Sequence, residues 1–150
     1  MAELPKELAP LREVAKKVYE MKVGRLVVEL EPGDLLRAVE SLLRSLGPES
    51  LYLSTLVATD LPQQGVIRLD YHLFVIPLRR IVVLRTSVPR DEPRIASLLK
   101  LLPGALSAEC EVYDLLGVVF EGNPYLRRGF FVPVELAEKG VYPLRKDARV

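Results

Sequence analysis

The sequence predicts an α+β fold: a two-layer sandwich with helices on one face of a mostly antiparallel mixed sheet, followed by an irregular C-terminal tail. Three observations carry this reading. From Leu35 to Leu46 apolar residues recur at three-four spacing, the pattern of a helix with one buried face. Three strand-like runs, Leu51 to Thr59, Val66 to Ile76 and Arg80 to Val88, then follow one another across short turn signals, so that antiparallel pairing between neighbours is the simplest arrangement. From Gly117 onward periodicity fades into a stretch rich in Gly, Pro and Arg, too long for a simple connection inside a compact domain. Residues 1–117 are therefore expected to form the core domain. Residues 118–150 are expected to form an extended tail that binds a partner and is not a domain of its own.

In chain order, Pro5 to Tyr19 reads as a helix with Leu11, Val14 and Val18 as its stripe, although Pro10 weakens its first half. Val23 to Leu30 changes to period two: Leu26, Val28 and Leu30 share one face, and Arg25, Val27 and Glu29 the other. The turn after this strand ends in Asp34, placed to cap the next helix, whose stripe is Leu35, Leu36, Val39, Leu42, Leu43 and Leu46 and whose stop is Gly47 with Pro48. In the central strand run Ile67, Leu69, Tyr71, Leu73 and Val75 alternate with Arg68, Asp70 and His72, giving one packed and one wetter face. Helix returns from about Ile95 to Leu102, breaks at Pro103 and Gly104, and resumes from about Ala108 to Leu116.

Composition excludes several classes of function. In 150 residues, Lys plus Arg at 21 against Asp plus Glu at 20 leaves a formal charge of +1, so no bulk field draws the chain to nucleic acid or acidic lipid. The single cysteine, Cys110, cannot form an internal disulfide or an all-cysteine cluster, and points to an intracellular setting. The first residues mix acids and prolines with apolar groups, unlike a signal peptide, and no apolar stretch nears the roughly 20 residues of a membrane span. A soluble protein is expected. Asn123 is the only asparagine and Gln63 and Gln64 the only glutamines, a depletion of thermolabile amides that hints at a thermophilic source.

Candidate chemistry is sparse. Glu109, Glu111 and Asp114 place three carboxylates within two helical turns, and Glu111 and Asp114 are neighbours on the helix surface. Such a pair can share a proton and act as acid and base, which leaves a free-standing enzyme open as a reading. The competing reading is a structural salt network or docking surface, with Arg127, Arg128, Arg145 and Lys146 downstream as the neutralising bases, and it is favoured. Cys110 sits between two glutamates, which oppose thiolate formation, so a structural thiol is expected. His72 lacks companions at ligand spacing and reads as a packed or surface residue. Arg79, Arg80, Arg85, Arg90 and Arg94 form a basic stretch, but Asp91 and Glu92 interrupt it and stacking aromatics are scarce, so a solvated or subunit-facing surface is preferred to a nucleic-acid site. Phosphate-cradling glycine loops and nucleophile elbows are absent from the sequence.

The segment that begins at Glu109 is more specific. Glu109, Glu111, Tyr113, Asp114 and Gly117, then Phe120, Glu121, Gly122 and Pro124, then Leu126, Arg127 and Arg128, and finally Pro143, Leu144, Arg145, Lys146 and Asp147, closely resemble in order and spacing the signature of the 30 kDa subunit family of NADH dehydrogenase, complex I. Related subunits of membrane-bound hydrogenases share the likeness, with which Tyr142 ahead of Pro143 is compatible. Weaker likeness at Thr59, Asp60, Tyr71, His72, Leu73, Ser97, Pro103 and Ala105 extends it over roughly Ser50 to Asp147. The chain departs from the family pattern at Cys110, where an arginine is usual, and at Asn123, where a histidine is usual. Leu102 and Ser107 stand where tryptophans are common.

The resemblance implies a peripheral subunit, on the cytoplasmic side of the cell membrane, of a membrane-associated NADH:quinone oxidoreductase or of an energy-converting hydrogenase. It implies that this chain binds no cofactor and is not catalytic by itself, and that iron-sulfur clusters belong to neighbouring subunits. The expected partners are the hydrogenase-like large subunit, which the tail would clamp, and an adjacent iron-sulfur subunit. Neither nucleic acid nor direct membrane insertion is expected. The signature residues are then interface or structural residues, with Gly117 and Gly122 at bends and Pro124 and Pro143 stiffening extended segments.

Overall fold

A computed structural model describes residues 2–21 and 24–149. The strands are β1 (Lys17–Glu20), β2 (Leu26–Glu29), β3 (Leu51–Leu61), β4 (Val66–Val75), β5 (Arg80–Pro89), β6 (Arg94–Ala96) and β7 (Val119–Glu121), and the helices are α1 (Leu35–Leu46), α2 (Ala105–Leu116) and α3 (Val134–Glu138). Five strands make one sheet in the order β1-β2-β5-β4-β3, antiparallel throughout except for the parallel pair β2 and β5. A second, two-stranded sheet pairs β6 with β7 in parallel. The α+β sandwich expected from the sequence is the fold found.

The sheet's two faces differ as the alternation predicts. Val28, Leu84, Tyr71 and Leu56 lie side by side across four strands and join Leu35, Val39 and Leu42 of α1 and Val112 and Leu116 of α2 in a single core. On the opposite face Val27 and Val83 are buried outside that core, which departs from the wetter face expected for Val27. They sit beside a polar cluster in which Arg85 donates to both oxygens of Asp70, at 2.7 and 3.3 Å, and to the Tyr19 hydroxyl at 2.7 Å. His72 is on this face too, buried, its Nδ1 3.3 Å from the Asp70 carbonyl.

A bulge in β3 decides which way Asp60 points. Register shifts between Leu53 and Thr55, so the core-facing positions change from Leu51 and Leu53 to Leu56, Ala58 and Asp60. Because side chains alternate strictly along a strand, Asp60 would otherwise face away from the helical layer. The extra residue turns it inward.

Several expectations are corrected. The helix from Pro5 to Tyr19 is instead a 3-10 segment, Lys6–Glu13, followed by β1, which contains Tyr19. Pro10 lies inside that segment and brings no backbone N–H to an α-helical ladder, yet Leu8, Leu11, Val14 and Val18 are all buried. The helix from Ile95 to Leu102 is strand β6 and a turn, because β7 offers Ile95 an edge to pair with; α2 starts at Ala105 rather than Ala108. Asp34 does not cap α1 with its side chain, which takes Arg37 at 2.9 Å instead, and Leu36 is exposed while Ala38 fills its place in the stripe. In the strand expected from Val23 to Leu30, Val23 lies outside the described residues and the strand itself is Leu26–Glu29.

The tail is also less irregular than its sequence suggests. Val118 and Phe120 belong to the core, so the folded part runs on to Glu121, and α3 forms inside the remaining strap.

Candidate functional site

The strap after Glu121 is tied to the folded part by three buried carboxylates, Glu109, Asp114 and Asp60. Glu109 and Asp114 come from α2 and Asp60 from the end of β3. Each satisfies backbone or side-chain donors that the strap or its approach would otherwise leave unpaired.

Asp114 holds the middle of the strap. Its Oδ1 accepts the Gly129 N–H at 3.0 Å and Arg128 Nε at 3.0 Å, and its Oδ2 accepts the N–H groups of Phe131 at 2.6 Å and Val132 at 3.0 Å. Burial alone pushes this carboxyl up, but the amides of Phe131 and Gly129, the Arg128 guanidinium and the Val132 amide together outweigh it and hold the group below the usual carboxylate range. Arg128 also donates to the Val141 carbonyl and lies 4.0 Å from the centre of the Tyr142 ring, so one guanidinium links α2 to two parts of the strap.

Asp60 holds the far end. Arg90, just past β5, donates to Asp60 through Nε at 2.6 Å and Nη2 at 2.9 Å, and its Nη2 also reaches Asp147 at 2.8 Å. The Lys146 N–H donates to the same Asp60 carboxylate at 2.8 Å. Arg90 lowers the Asp60 carboxyl below its ordinary range against the effect of burial, with the Lys146 amide assisting. Arg145 forms no ion pair with a carboxylate among the described residues. Its Nε donates to the Leu116 carbonyl at 2.8 Å and its Nη1 to the Arg90 carbonyl at 3.1 Å, which covers an orphan acceptor in the last turn of α2.

Glu109 fixes the approach to the strap. It is fully buried and accepts from Ser97 Oγ at 2.5 Å, the Leu98 N–H at 2.8 Å and Asn123 Nδ2 at 3.0 Å. Asn123 Oδ1 then accepts the Tyr125 N–H at 2.9 Å. Burial raises the Glu109 carboxyl above its ordinary range, and the three donors only partly offset this. The buried Tyr71 hydroxyl has no hydrogen-bond partner among the described residues, and burial together with the Glu109 charge pushes it well above the usual phenol range.

The sequence-derived network therefore needs redrawing. Of the four bases expected to meet the helix acids, only Arg128 does so. Arg145 serves carbonyls, Lys146 acts through its backbone on Asp60, and Arg127 is exposed with no carboxylate partner among the described residues. Glu111 is exposed while Asp114 is buried, and no hydrogen bond joins them, so the acid-base pair does not assemble. An Asp114 carboxylate saturated by four donors is a poor proton acceptor. Glu121 is exposed and contributes its carbonyl to the Ser97 N–H. Gly117 and Gly122 have φ of +82° and +95°; at Gly117 a Cβ would also stand 3.1 Å from the Tyr142 ring. Pro124 and Leu144 are exposed, and Tyr113 and Pro143 half-buried.

Asp60, Arg90, Ser97 and Asn123 complete the anchors, and sequence reasoning did not assign them this role. Asp60 and Ser97 were visible only as weak family likeness, Arg90 as part of a basic stretch, and Asn123 as a departure. Cys110 is half-buried, its thiol 3.6 Å from the Tyr125 carbonyl and pushed up by burial and by the Glu109 charge. Among the described residues no group of acids, His or Cys is placed to hold a metal, and no helix is long and apolar enough to cross a membrane.

Fold and anchors together define a small folded unit wearing a fastened strap, and comparison with known proteins gives it a family. Residues 28–150 match the family described as the respiratory-chain NADH dehydrogenase 30 Kd subunit, and the chain belongs to that family. It is 35% identical over 99 residues to an NADH-quinone oxidoreductase subunit of Moorella thermoacetica, covering 66% of this chain and 64% of the relative. It is 34% identical over 134 residues to the NADH-quinone oxidoreductase subunit of the same name from Ruegeria pomeroyi, covering 86% of this chain and 62% of the relative. The chain thus spans under two thirds of the length of these relatives. Among solved structures, a chain of the membrane-bound sulfane sulfur reductase, an archaeal respiratory membrane complex, superposes with a TM-score of 0.77 at 27% identity, covering 97% of this chain and 83% of that one. A trypsin-resistant fragment of Nqo5 superposes with a TM-score of 0.64 at 26% identity, covering 73% of this chain and 89% of the fragment.

Proposed function

We propose that this chain is a peripheral subunit, without a redox centre, of a membrane-associated complex I-like NADH:quinone oxidoreductase. In this reading its strap docks on and clamps a hydrogenase-like large subunit on the cytoplasmic side of the membrane. An iron-sulfur subunit lies adjacent, and electrons pass through these neighbours and not through this chain.

One observation carries the reading. Beside the polar groups that anchor it, the strap turns five large apolar side chains outward: Tyr125, Phe130, Phe131, Val134 and Leu144 are all exposed. An isolated surface has no use for this many apolar groups on one segment, and covering what is still exposed of each is worth about half of the roughly 1.5–3 kcal/mol of a fully buried side chain. The anchors set the backbone course beforehand, so that less ordering entropy is lost when a partner arrives. The family supports the same reading. The archaeal membrane complex subunit matches 97% of the 150 residues, which leaves only about five outside and so takes in nearly all of the strap.

A second reading is favoured by that same likeness. The chain covers 83% of the archaeal subunit but only 62–64% of the two quinone oxidoreductase relatives, so the equivalent subunit of an energy-converting membrane complex of the hydrogenase type is the alternative. Affinity purification of the tagged chain from native membranes distinguishes them. Recovery of a large subunit with NADH-dependent quinone reduction supports the first, and hydrogen or sulfide formation the second. A chain that purifies alone from every detergent extract overturns both.

A further inference from the structure

Between the outer side of α2 and the strap runs an apolar groove of about 560 Å³. Leu106 and Cys110, four residues apart on α2, form one wall; Tyr125, Leu126 and Phe130 form the other. Leu106, Tyr125 and Phe130 are 38%, 61% and 62% exposed, so these walls are wet in the chain alone. Among the described residues Arg127 is the one charged residue that lines the groove. It leans on the Phe130 ring at 5.5 Å and has no carboxylate partner among the described residues, whereas its neighbour Arg128 is fully engaged with Asp114 and Val141.

We infer that this groove receives a segment of the partner subunit that carries two or more apolar side chains and one carboxylate aimed at Arg127. The inference rests on the docking reading above and specifies what it docks. The groove has the size of a site for a few side chains, not a flat contact. Apolar walls supply the driving force, and a lone cation at the rim selects an acidic residue and sets its register. A basic segment would set like charges together at Arg127, and a neutral one would leave this cation without a partner. A second copy of this chain is the competing occupant, and the test separates it.

Cys110, the only cysteine, is a built-in reporter because it lines the groove. Maleimide labelling is compared between the free chain and the complex purified from native membranes. Occupancy predicts that labelling slows by on the order of tenfold or more in the complex. Arg127→Glu is expected to lower recovery of the complex by at least on the order of tenfold, and Arg127→Lys to restore most of it. The free Arg127→Glu chain should melt close to the parent, since among the described residues this side chain makes no hydrogen bond and only an exposed contact with the Phe130 ring. If the wild-type complex forms and Cys110 stays as reactive as in the free chain, the groove is empty and this inference fails while the docking reading stands. If Cys110 is shielded but Arg127→Glu assembles normally, the acidic partner is wrong. Shielding that appears in the free chain at high concentration assigns the groove to a second copy and overturns the inference. Failure of the wild-type chain to capture any complex removes the docking reading itself.

Discussion

Glu111 and Asp114 stand three residues apart on α2, yet one lies in solvent and the other sits beneath four donors. Spacing alone made them look like a pair. What separates them is the face each takes: Asp114 points toward the strap, whose Gly129, Phe131 and Val132 amides converge on it, while no donor among the described residues reaches the Glu111 side chain. The expected consequence is a sharp contrast between two mild substitutions. Asp114→Asn keeps the shape but removes the charge and sets an amide N–H against a donor, which should cost roughly 1.5–3 kcal/mol. Glu111→Gln should leave stability unchanged. Urea unfolding at constant slope measures both. Equal midpoint shifts for the two variants would show that Asp114 is no anchor, and the same pair of proteins tests the acid-base reading, which requires both to matter.

The end of α2 shows an element being shaped by what crosses it. Gly117 takes up the left-handed conformation that closes the helix, donates to the Tyr113 carbonyl at 2.8 Å, and lets the Tyr142 ring lie against it. Gly117→Ala should therefore cost about 1 kcal/mol for the backbone and more for the displaced ring. Gly122→Ala has a positive φ but open space, and serves as the control. A thermal scan in which both variants fall equally would remove the ring contact from the account. Which elements were legible follows from the same local physics. The α1 stripe and the three long strands announce themselves, because their burial pattern repeats for three turns or ten residues. The 3-10 segment mimics a helix because Leu8, Leu11, Val14 and Val18 keep helical spacing while Pro10 and β1 change the backbone beneath them. Strand β6 is only three residues long, and what makes it a strand is β7, more than twenty residues later. The Asp60 anchor depends on the bulge near Ser54, for which the sequence offers two adjacent polar residues, Ser54 and Thr55, and nothing to say which way the strand turns.

Over the whole molecule the two strap anchors and the approach to the strap respond to pH with opposite signs. Asp114 and Asp60 have carboxyls held below their ordinary range, so the stability they add is present above the unfolded value near 3.8 and is lost as pH falls through the lower folded values. Glu109 is held above its ordinary value of 4.5, so its contribution is present below that value and is lost as pH rises through the folded one. Acidification therefore weakens the middle and the far end of the strap while relieving the charge buried at Glu109, and the apolar side chains that join the sheet to α1 carry no acid. The strap should open below pH about 3.8 before the core unfolds. Hydrogen exchange, expressed as protection factors to remove the intrinsic pH effect, reads this directly: the amides of Phe131, Val132 and Lys146 should lose protection while those of β4 and β5 keep theirs. Simultaneous loss in strap and sheet would mean that the strap is an integral part of the core, and persistent protection at Lys146 in strong acid would mean that Asp60 does not hold it. If the strap opens alone, the chain is a folded platform with a separately fastened arm, and a partner that covers Phe130 and Phe131 should shift the opening to still lower pH by mass action.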